Sequence, residues 1–257
     1  MKKLLKNSYI YSMILFLYSP IAVLIIFSFN ESKSRGQWGG FSLRWYIELF
    51  RDRDIKTALY YTLIIAILSA VISTIIGTIS AIGIYNMKFL MRSIVLNINS
   101  LPILNPDIVT GVSLMLLFTF LQIKLGFITL LIAHIGFNIP YVILSVLPKL
   151  RQMDKNLPEA AMDLGATPNY TLIKIIIPEI LPGIITGFIL AFTLSLDDFV
   201  ISFFTTGSGV TNLSIYIYSM ARRGIKPVIN ALSTIMIVVV TSLLIFINKR
   251  SNIEKII

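Results

Sequence analysis

Six long stretches of the chain contain almost no charged side chain, and this pattern constrains the fold more than any other feature of the sequence. A helix needs about 20 apolar residues to cross the roughly 30 Å hydrocarbon core of a bilayer. Only 13% of the side chains are charged, whereas about a quarter are charged in a soluble domain. We therefore predict an all-α membrane protein with six transmembrane helices, at 7–30, 57–87, 93–123, 125–148, 180–206 and 227–248.

The basic start of the chain is followed by an apolar run that is too long for a signal peptide and is not closed by a small-x-small site, so we interpret it as an uncleaved first span. With the N-terminus in the cytoplasm, six spans return the C-terminus there. This topology puts 12 Lys and Arg inside and 10 outside, which gives weak support from the positive-inside rule. The first loop, 31–56, carries Trp38, Trp45, Tyr46 and Phe50, and we expect it to lie along the outer membrane surface.

Composition excludes several classes of function. The net charge of +10 comes from Lys and Arg beside the apolar runs, where they anchor spans at headgroups, and no nucleic-acid-binding signature accompanies it. The absence of Cys excludes disulfides and thiol chemistry. The one histidine, His134, has no acidic partner near it in sequence and is interpreted as a packing residue. No linker or repeat marks a second domain, so residues 1–257 are predicted to form a single permease-like bundle.

The most polar internal stretch, 151–182, follows the fourth span and has a readable local structure. Asn156 is expected to cap a short helix that Gly165 ends in the left-handed conformation. Thr167 is expected to cap a second short helix, with Pro178 near its end.

The same stretch carries a spaced motif. It reads Glu159-Ala160-Ala161, three residues, Gly165, nine residues, Ile175, one residue and Ile177-Pro178. This run resembles the EAA loop of ATP-binding-cassette (ABC) importer permeases, except that Ile177 stands where that family usually has Leu. The resemblance implies that Glu159, Ala160, Ala161, Gly165, Ile175 and Pro178 contact an ATPase subunit and couple its motion to the membrane helices.

The resemblance extends over nearly the whole chain. Segments such as Pro106-Asp107-Ile108-Val109, Asp197-Asp198 with the four residues before it, and Ile217-Tyr218-Ser219-Met220 are similar to those of PotC-type permeases of spermidine/putrescine importers. The family implies the type I (MetI-like) permease fold in a bacterial inner membrane. It also implies a PotB-type second permease, two PotA-type ATPase subunits that hold ATP and Mg, and an extracytoplasmic PotD-type polyamine-binding protein. The chain itself is expected to have no cofactor and no enzymatic activity, and it contains no Gly-x-x-x-x-Gly-Lys-Ser/Thr phosphate loop.

Three carboxylates interrupt the apolar runs. Asp107, Asp197 and Asp198 each cost about 2.5 to 3.5 kcal/mol at the centre of a membrane helix. Pairing with a neighbouring subunit or access to water at a helix end would offset this cost. A cationic substrate would offset it too, because a polyamine carries ammonium groups that carboxylates bind.

Helical spacing ranks the adjacent pair. If the helix is unbroken, the face through Asp198 also holds Ser195 and Ser202, whereas the face through Asp197 is largely apolar. We therefore expect Asp198 to face a substrate pathway and Asp197 to support it. Tyr18 and Tyr218 are weaker candidates for aromatic walls around a cation.

Other readings remain open. The same importer architecture could carry another solute, such as thiamine, iron or an anion, although the carboxylates disfavour an anion. A membrane-embedded enzyme would need a catalytic or metal-binding cluster that one His and no Cys hardly provide. A non-transporting scaffold would leave the three carboxylates unexplained.

Overall fold

The computed structural model describes residues 2–33, 36–154, 156–223 and 227–253. These residues form helices and connecting turns, and within them the only strand-like pairing is an isolated antiparallel bridge between Asn30 and Phe41. The expected all-α fold is thus confirmed. The helices are α1 (Lys2–Phe27), α2 (Arg44–Leu49), α3 (Arg53–Tyr85), α4 (Phe89–Leu104), α5 (Asp107–Phe120), α6 (Phe127–Gln152), α7 (Leu157–Asp163), α8 (Pro168–Thr171), α9 (Ile177–Asp197), α10 (Val200–Thr205), α11 (Leu213–Arg223) and α12 (Val228–Ile253).

Four of the expected spans are long apolar helices. They are Asn7–Phe27, Arg53–Tyr85, Phe127–Gln152 and Pro168–Asp197. The last of these begins earlier and ends earlier than the predicted 180–206, because α8 continues into α9 through a π-helical turn, Leu172–Ile176. The sixth span, predicted at 227–248, corresponds to α12, which begins at Val228.

The third expected span is bent. The run 93–123 is divided into α4 and α5, whose axes differ in direction by 102°. Asn105 is extended at the break (φ −77°, ψ 142°) and precedes Pro106. Proline disfavours helical backbone in the residue before it and has no N–H of its own, which explains why the helix stops there. The span expected at 93–123 is therefore a bent pair of helices.

Contacts divide the chain into two compact units. The first consists of Met1–Lys56 and Ile217–Ile257, and the second of Thr57–Tyr216. In the first unit, α12 packs against α1 and α2. Helix α1 carries exposed apolar side chains between Tyr9 and Ile26, as expected for a helix that contacts lipid.

The loop after α1 is held by a buried asparagine. The Asn30 side chain is 1% exposed and accepts hydrogen bonds from the backbone N–H of Gly39 (2.7 Å) and Ser32 (3.2 Å). Its backbone carbonyl accepts from the Trp45 indole, which is 2% exposed. The sequence predicted Trp45 on the membrane surface, but it is buried in the core of this loop. Trp38, in contrast, is exposed.

The second unit is built on close helix packing. Gly183 and Gly187 of α9 face α6, where an added Cβ would lie 3.0 Å from the Ser145 carbonyl oxygen and 3.2 Å from the Val142 side chain, respectively. Gly77 of α3 approaches the same Val142, so three helices meet around this residue. The small-x-x-x-small spacing of Gly183 and Gly187 accordingly serves helix packing.

We expect Gly77→Ala to destabilise the protein and Gly83→Ala, in the same helix, to leave it unchanged or slightly more stable. A Cβ at Gly77 would lie 2.7 Å from two Val142 carbons, whereas one at Gly83 would have no neighbour within 4 Å. Overpacking costs about 1–3 kcal/mol, while Ala in place of a helical Gly gains about 0.5–1 kcal/mol. Thermal unfolding of the purified protein measures both effects, and equal shifts for the two variants would contradict the packing argument.

Candidate functional site

The helix that carries the two adjacent aspartates is broken between them. Helix α9 ends at Asp197, Asp198 has extended backbone (φ −60°, ψ 126°), and α10 begins at Val200. The unbroken helix assumed in ranking the pair is therefore wrong, and the face shared by Ser195, Asp198 and Ser202 does not exist as one continuous stripe.

The Asp198 carboxylate binds the start of α10. One oxygen accepts a hydrogen bond from the Ile201 N–H at 3.2 Å, and the other accepts from the Ser202 N–H at 2.7 Å. A carboxylate at a helix N-terminus is favourable because it satisfies free N–H groups and opposes the positive end of the helix dipole. The side chain is only 8% exposed, so Asp198 is a buried structural cap.

His134 completes this buried network from α6. Its Nε2 hydrogen-bonds to Ser202 Oγ at 3.0 Å and lies 3.6 Å from the Asp198 carboxylate. The Asn212 amide donates to the same Ser202 oxygen at 2.7 Å and to the Asp198 carbonyl at 3.3 Å. His134 is thus a buried, hydrogen-bonded packing residue, as expected, and its acidic neighbour Asp198 lies far from it in sequence. The cost of burying Asp198 is offset within the chain, without any cation from outside.

Ser195 belongs to a second buried polar cluster. Its hydroxyl is hydrogen-bonded to Ser69 Oγ of α3 at 2.9 Å and accepts from the Asn138 amide of α6 at 2.7 Å. All three side chains are at most 2% exposed. Ser195 and Ser202 therefore join helices to each other, and neither hydroxyl faces an open path.

Asp107 and Asp197 differ from Asp198 because both are exposed. Asp107 begins α5, and Gly111, one turn later, packs against Val200 and Phe204 of α10. Asp197 lies three residues before Val200. The interruption of the helix at Pro106 and the interruption after Asp197 thus lie on either side of the contact between α5 and α10. This contact brings two accessible carboxylates to the same region of the second unit.

The two tyrosines lie in the first unit. Tyr18 is on the exposed surface of α1, with 62% of its surface accessible. Tyr218 is on α11, and the Arg222 guanidinium lies over its ring at 5.0 Å from the centroid. One face of the Tyr218 ring therefore already contacts the Arg222 guanidinium. This makes Tyr218 a weaker candidate for a cation–π contact with a cationic substrate.

The segment with the spaced motif forms a helical hairpin. Gly165 has φ +91° and ends the short helix α7, and Thr167 caps α8 by accepting a hydrogen bond from the Tyr170 N–H at 3.3 Å. These two local predictions are confirmed. Asn156 occupies the N-cap position of α7, as expected, but its side chain makes no cap hydrogen bond. Its N–H donates to the Asp154 carboxylate at 2.9 Å.

Beyond Thr167 the chain does not form a separate short helix. Pro178 lies in the first turn of α9 and has no N–H to donate to the carbonyl of Lys174, four residues earlier. The π-helical turn that contains Ile175 accommodates the missing hydrogen bond. Helical backbone therefore continues from Pro168 to Asp197. The motif segment is therefore directly joined to the helix that ends at the exposed carboxylate.

The hairpin presents a shallow surface for contact. Glu159 and Ala160 are exposed on α7, and Ala161 is half-buried. A concavity of about 500 Å³ lies beside them. Its lining residues are Ala161, Leu164, Gly165, Ala166, Thr167, Tyr170 and Ile175. Three residues of the motif thus line one concave face, and an exposed carboxylate stands on the same helix.

Comparison with known proteins identifies related chains. Residues 73–251 match the family described as binding-protein-dependent transport system inner membrane component. The chain is 38% identical over 236 residues to the spermidine/putrescine transport system permease protein PotC of Escherichia coli K12, covering 92% of this chain and 89% of that one. It is 41% identical over 229 residues to the putrescine transport system permease protein PotI of the same strain, covering 86% and 82%.

A more distant relative and a solved structure show the same pattern. The PotC homolog of Mycoplasma genitalium is 32% identical over 252 residues, covering 93% of this chain and 88% of that one. A chain of a bacterial ABC transporter that imports alginate superimposes with a TM-score of 0.72 over 98% of this chain and 97% of that chain, at 17% identity. At this identity the superposition shows a shared fold, which is that of an ABC importer permease.

Proposed function

Because the chain belongs to the family of binding-protein-dependent transport system inner membrane components, we propose that it is the permease subunit of an ABC importer that moves polyamines, spermidine or putrescine, into the cell. The observation that carries this assignment is the 38–41% identity, over most of the chain, to permeases named for spermidine and putrescine transport. The chain is a multi-pass protein of the inner membrane, in agreement with its long apolar helices.

We propose three kinds of partner. A PotB-type permease supplies the other half of the pathway, two PotA-type ATPase subunits hydrolyse ATP, and a PotD-type protein delivers the polyamine. The sequence supports a separate ATPase, because it contains no phosphate loop of its own. No cofactor is assigned to this chain, and residues 1–257 act as one permease domain.

The exposed hairpin is the proposed site of contact with the ATPase. Its two small alanines and Glu159 allow close approach and offer a carboxylate to a cation on the partner. We place this hairpin, and both chain termini, on the cytoplasmic side, where ATP is available. The residues assigned to coupling are Glu159, Ala160, Ala161, Gly165, Ile175 and Pro178.

For the substrate pathway, the geometry favours Asp107 and Asp197. Both carboxylates are accessible near one helix contact, and a polyamine carries several ammonium groups separated by methylene chains. The interrupted helix is stabilised by buried hydrogen bonds of Asp198, Ser195 and Ser202, which do not contact the substrate in this proposal. Tyr18 stays a prediction as an aromatic contact, and Tyr218 is the weaker of the two tyrosines because Arg222 covers its ring.

The experiment that tests the function is uptake of radiolabelled spermidine and putrescine by cells that lack their own polyamine importers and express this permease with its partners. We expect ATP-dependent uptake that other polyamines inhibit and that thiamine, ferric iron and anionic solutes do not. Inhibition by thiamine alone, or by an anion alone, would assign the same machinery to another cargo.

We expect Asp197→Asn and Asp107→Asn each to reduce spermidine uptake about fivefold or more, because each removes a contact of roughly 1 kcal/mol or more with an ammonium group. Folding should be unaffected, since both side chains are exposed. Asp54→Asn is the matched control, because Asp54 is an exposed carboxylate in the first turn of α3. Normal uptake by both pathway variants would remove these carboxylates from the site.

A further inference from the structure

Two arginines from different helices line one small concavity at the end of the membrane spans. It has a volume of about 330 Å³ and is lined by Phe89, Arg92, Ser93, Leu96 and Arg151. The first four residues belong to the start of α4, and Arg151 lies at the end of α6. This concavity is separate from the carboxylates and from the motif hairpin described above.

The concavity lies where apolar spans end. The span Arg53–Tyr85 ends four residues before Phe89, and the span Phe127–Gln152 ends one residue after Arg151. Both guanidinium groups are therefore placed at the boundary between the hydrocarbon core and water. Phospholipid phosphates occupy this depth, and basic pockets between membrane helices bind anionic headgroups.

Positive charge is concentrated in this region. Helix α4 has no acidic residue in its first turn, Lys88 precedes it, and its N-cap side chain makes no hydrogen bond. Arg92 thus stands near the positive end of a helix dipole, where a cation is unfavourable. Within the described part of the chain, neither Arg92 nor Arg151 forms an ion pair, and Asp154, an acid close to Arg151 in sequence, is bound to the Asn156 N–H.

Apolar side chains stand beside the two cations. Phe89 is 87% exposed and Leu90 is 72% exposed, both in the first turn of α4. A soluble anion makes no favourable contact with exposed apolar side chains, whereas a phospholipid has acyl chains next to its phosphate that can pack against them. An anionic lipid therefore matches both the charge and the apolar rim of the concavity.

We propose that this concavity binds the headgroup of an anionic phospholipid, with Arg92 and Arg151 contacting its phosphate and Phe89 contacting its acyl chains. The arginines suit this ligand because a guanidinium can bind two phosphate oxygens at once. The bound lipid neutralises the two cations and ties the start of α4 to the end of α6. This inference makes no use of the transported substrate, so loss of lipid binding and loss of polyamine uptake are separate results.

The test is native mass spectrometry of the delipidated importer complex, titrated with dioleoylphosphatidylglycerol and, in parallel, with dioleoylphosphatidylcholine. We expect the complex to retain the anionic lipid preferentially. Arg92→Gln and Arg151→Gln should each weaken its binding about fivefold, the factor expected for one basic residue near an anionic surface. Lys124→Gln is the matched control, since it removes an exposed cation elsewhere in the same unit and should leave lipid binding unchanged.

Three results would overturn the proposal. Equal retention of the two lipids by the wild-type complex would show that no anionic site exists. Competition by millimolar inorganic phosphate would identify a soluble anion as the ligand. If the arginine variants lost the ATPase subunits during purification while lipid binding stayed normal, the pair would be a protein contact. Arg151→Lys, which keeps the charge, serves as a second variant and should bind the lipid more tightly than Arg151→Gln.

Discussion

Glu159→Lys should reduce polyamine uptake to background and should release the ATPase subunits from the purified complex. Glu159 is exposed in the first turn of α7, the helix that carries the two alanines of the motif. Replacing a carboxylate by an ammonium group there changes the local charge by two units and puts a cation at a helix N-terminus, where it is unfavourable. Lysine at this position would repel a cation on the proposed ATPase partner, and repulsion between like charges at an interface costs several kcal/mol.

Two measurements separate this result from misfolding. The first is copurification of the ATPase with tagged permease, and the second is thermal unfolding of the permease itself, which should change little because the side chain is exposed. Asp54→Lys provides the control, since it makes the same reversal at an exposed acidic residue in the first turn of another helix. Unchanged copurification together with unchanged ATP hydrolysis would refute the role of Glu159.

Asp198→Ala should lower both the thermal stability of the permease and its transport rate. The substitution leaves the Ile201 and Ser202 N–H groups without their acceptor and removes the carboxylate beside His134. Hydrogen bonds to charged groups contribute about 1.5–3 kcal/mol, and this network is buried, so we expect a loss of at least that size. Transport should fall about tenfold or more, because the break that presents Asp197 would no longer be held.

The neighbouring residue provides the contrast. Asp197→Ala should lower uptake while leaving the unfolding temperature unchanged, because the Asp197 side chain is exposed. Asp198→Asn should be milder than Asp198→Ala, since one amide oxygen can still accept from a backbone N–H. If Asp198→Ala unfolded like the wild type and changed only the preference between spermidine and putrescine, Asp198 would be a substrate contact and not a cap.

Local signals in the sequence predicted local structure well. Gly165 and Thr167 form the turn and cap that their residue types favour, because each acts on neighbours within a few residues. The bend before Asp107 follows from Pro106 in the same way, although the sequence gives neither its 102° angle nor the division of one span into two helices. The long apolar helices followed from the stretches of sequence that lack charged residues.

Contacts between distant residues account for the errors. His134 and Ser202 are 68 residues apart, and a search for acidic partners near His134 in sequence could not find Asp198. Trp45 is buried because Asn30 accepts its indole N–H across 15 residues. One available signal was missed: Asp198 directly precedes the apolar run that begins at Phe199, which is a typical helix start.

Helical backbone runs without interruption from Pro168, beside the motif hairpin, to Asp197. At about 1.5 Å per residue these 30 residues form a rod of about 45 Å, long enough to connect one face of a membrane with its far side. If this helix couples the proposed ATPase contact to the proposed substrate contact, thermodynamic linkage makes that coupling reciprocal. Whatever factor ATPase binding adds to the affinity of Asp197 for an ammonium group, binding of the ammonium group must add the same factor to the affinity of the permease for the ATPase.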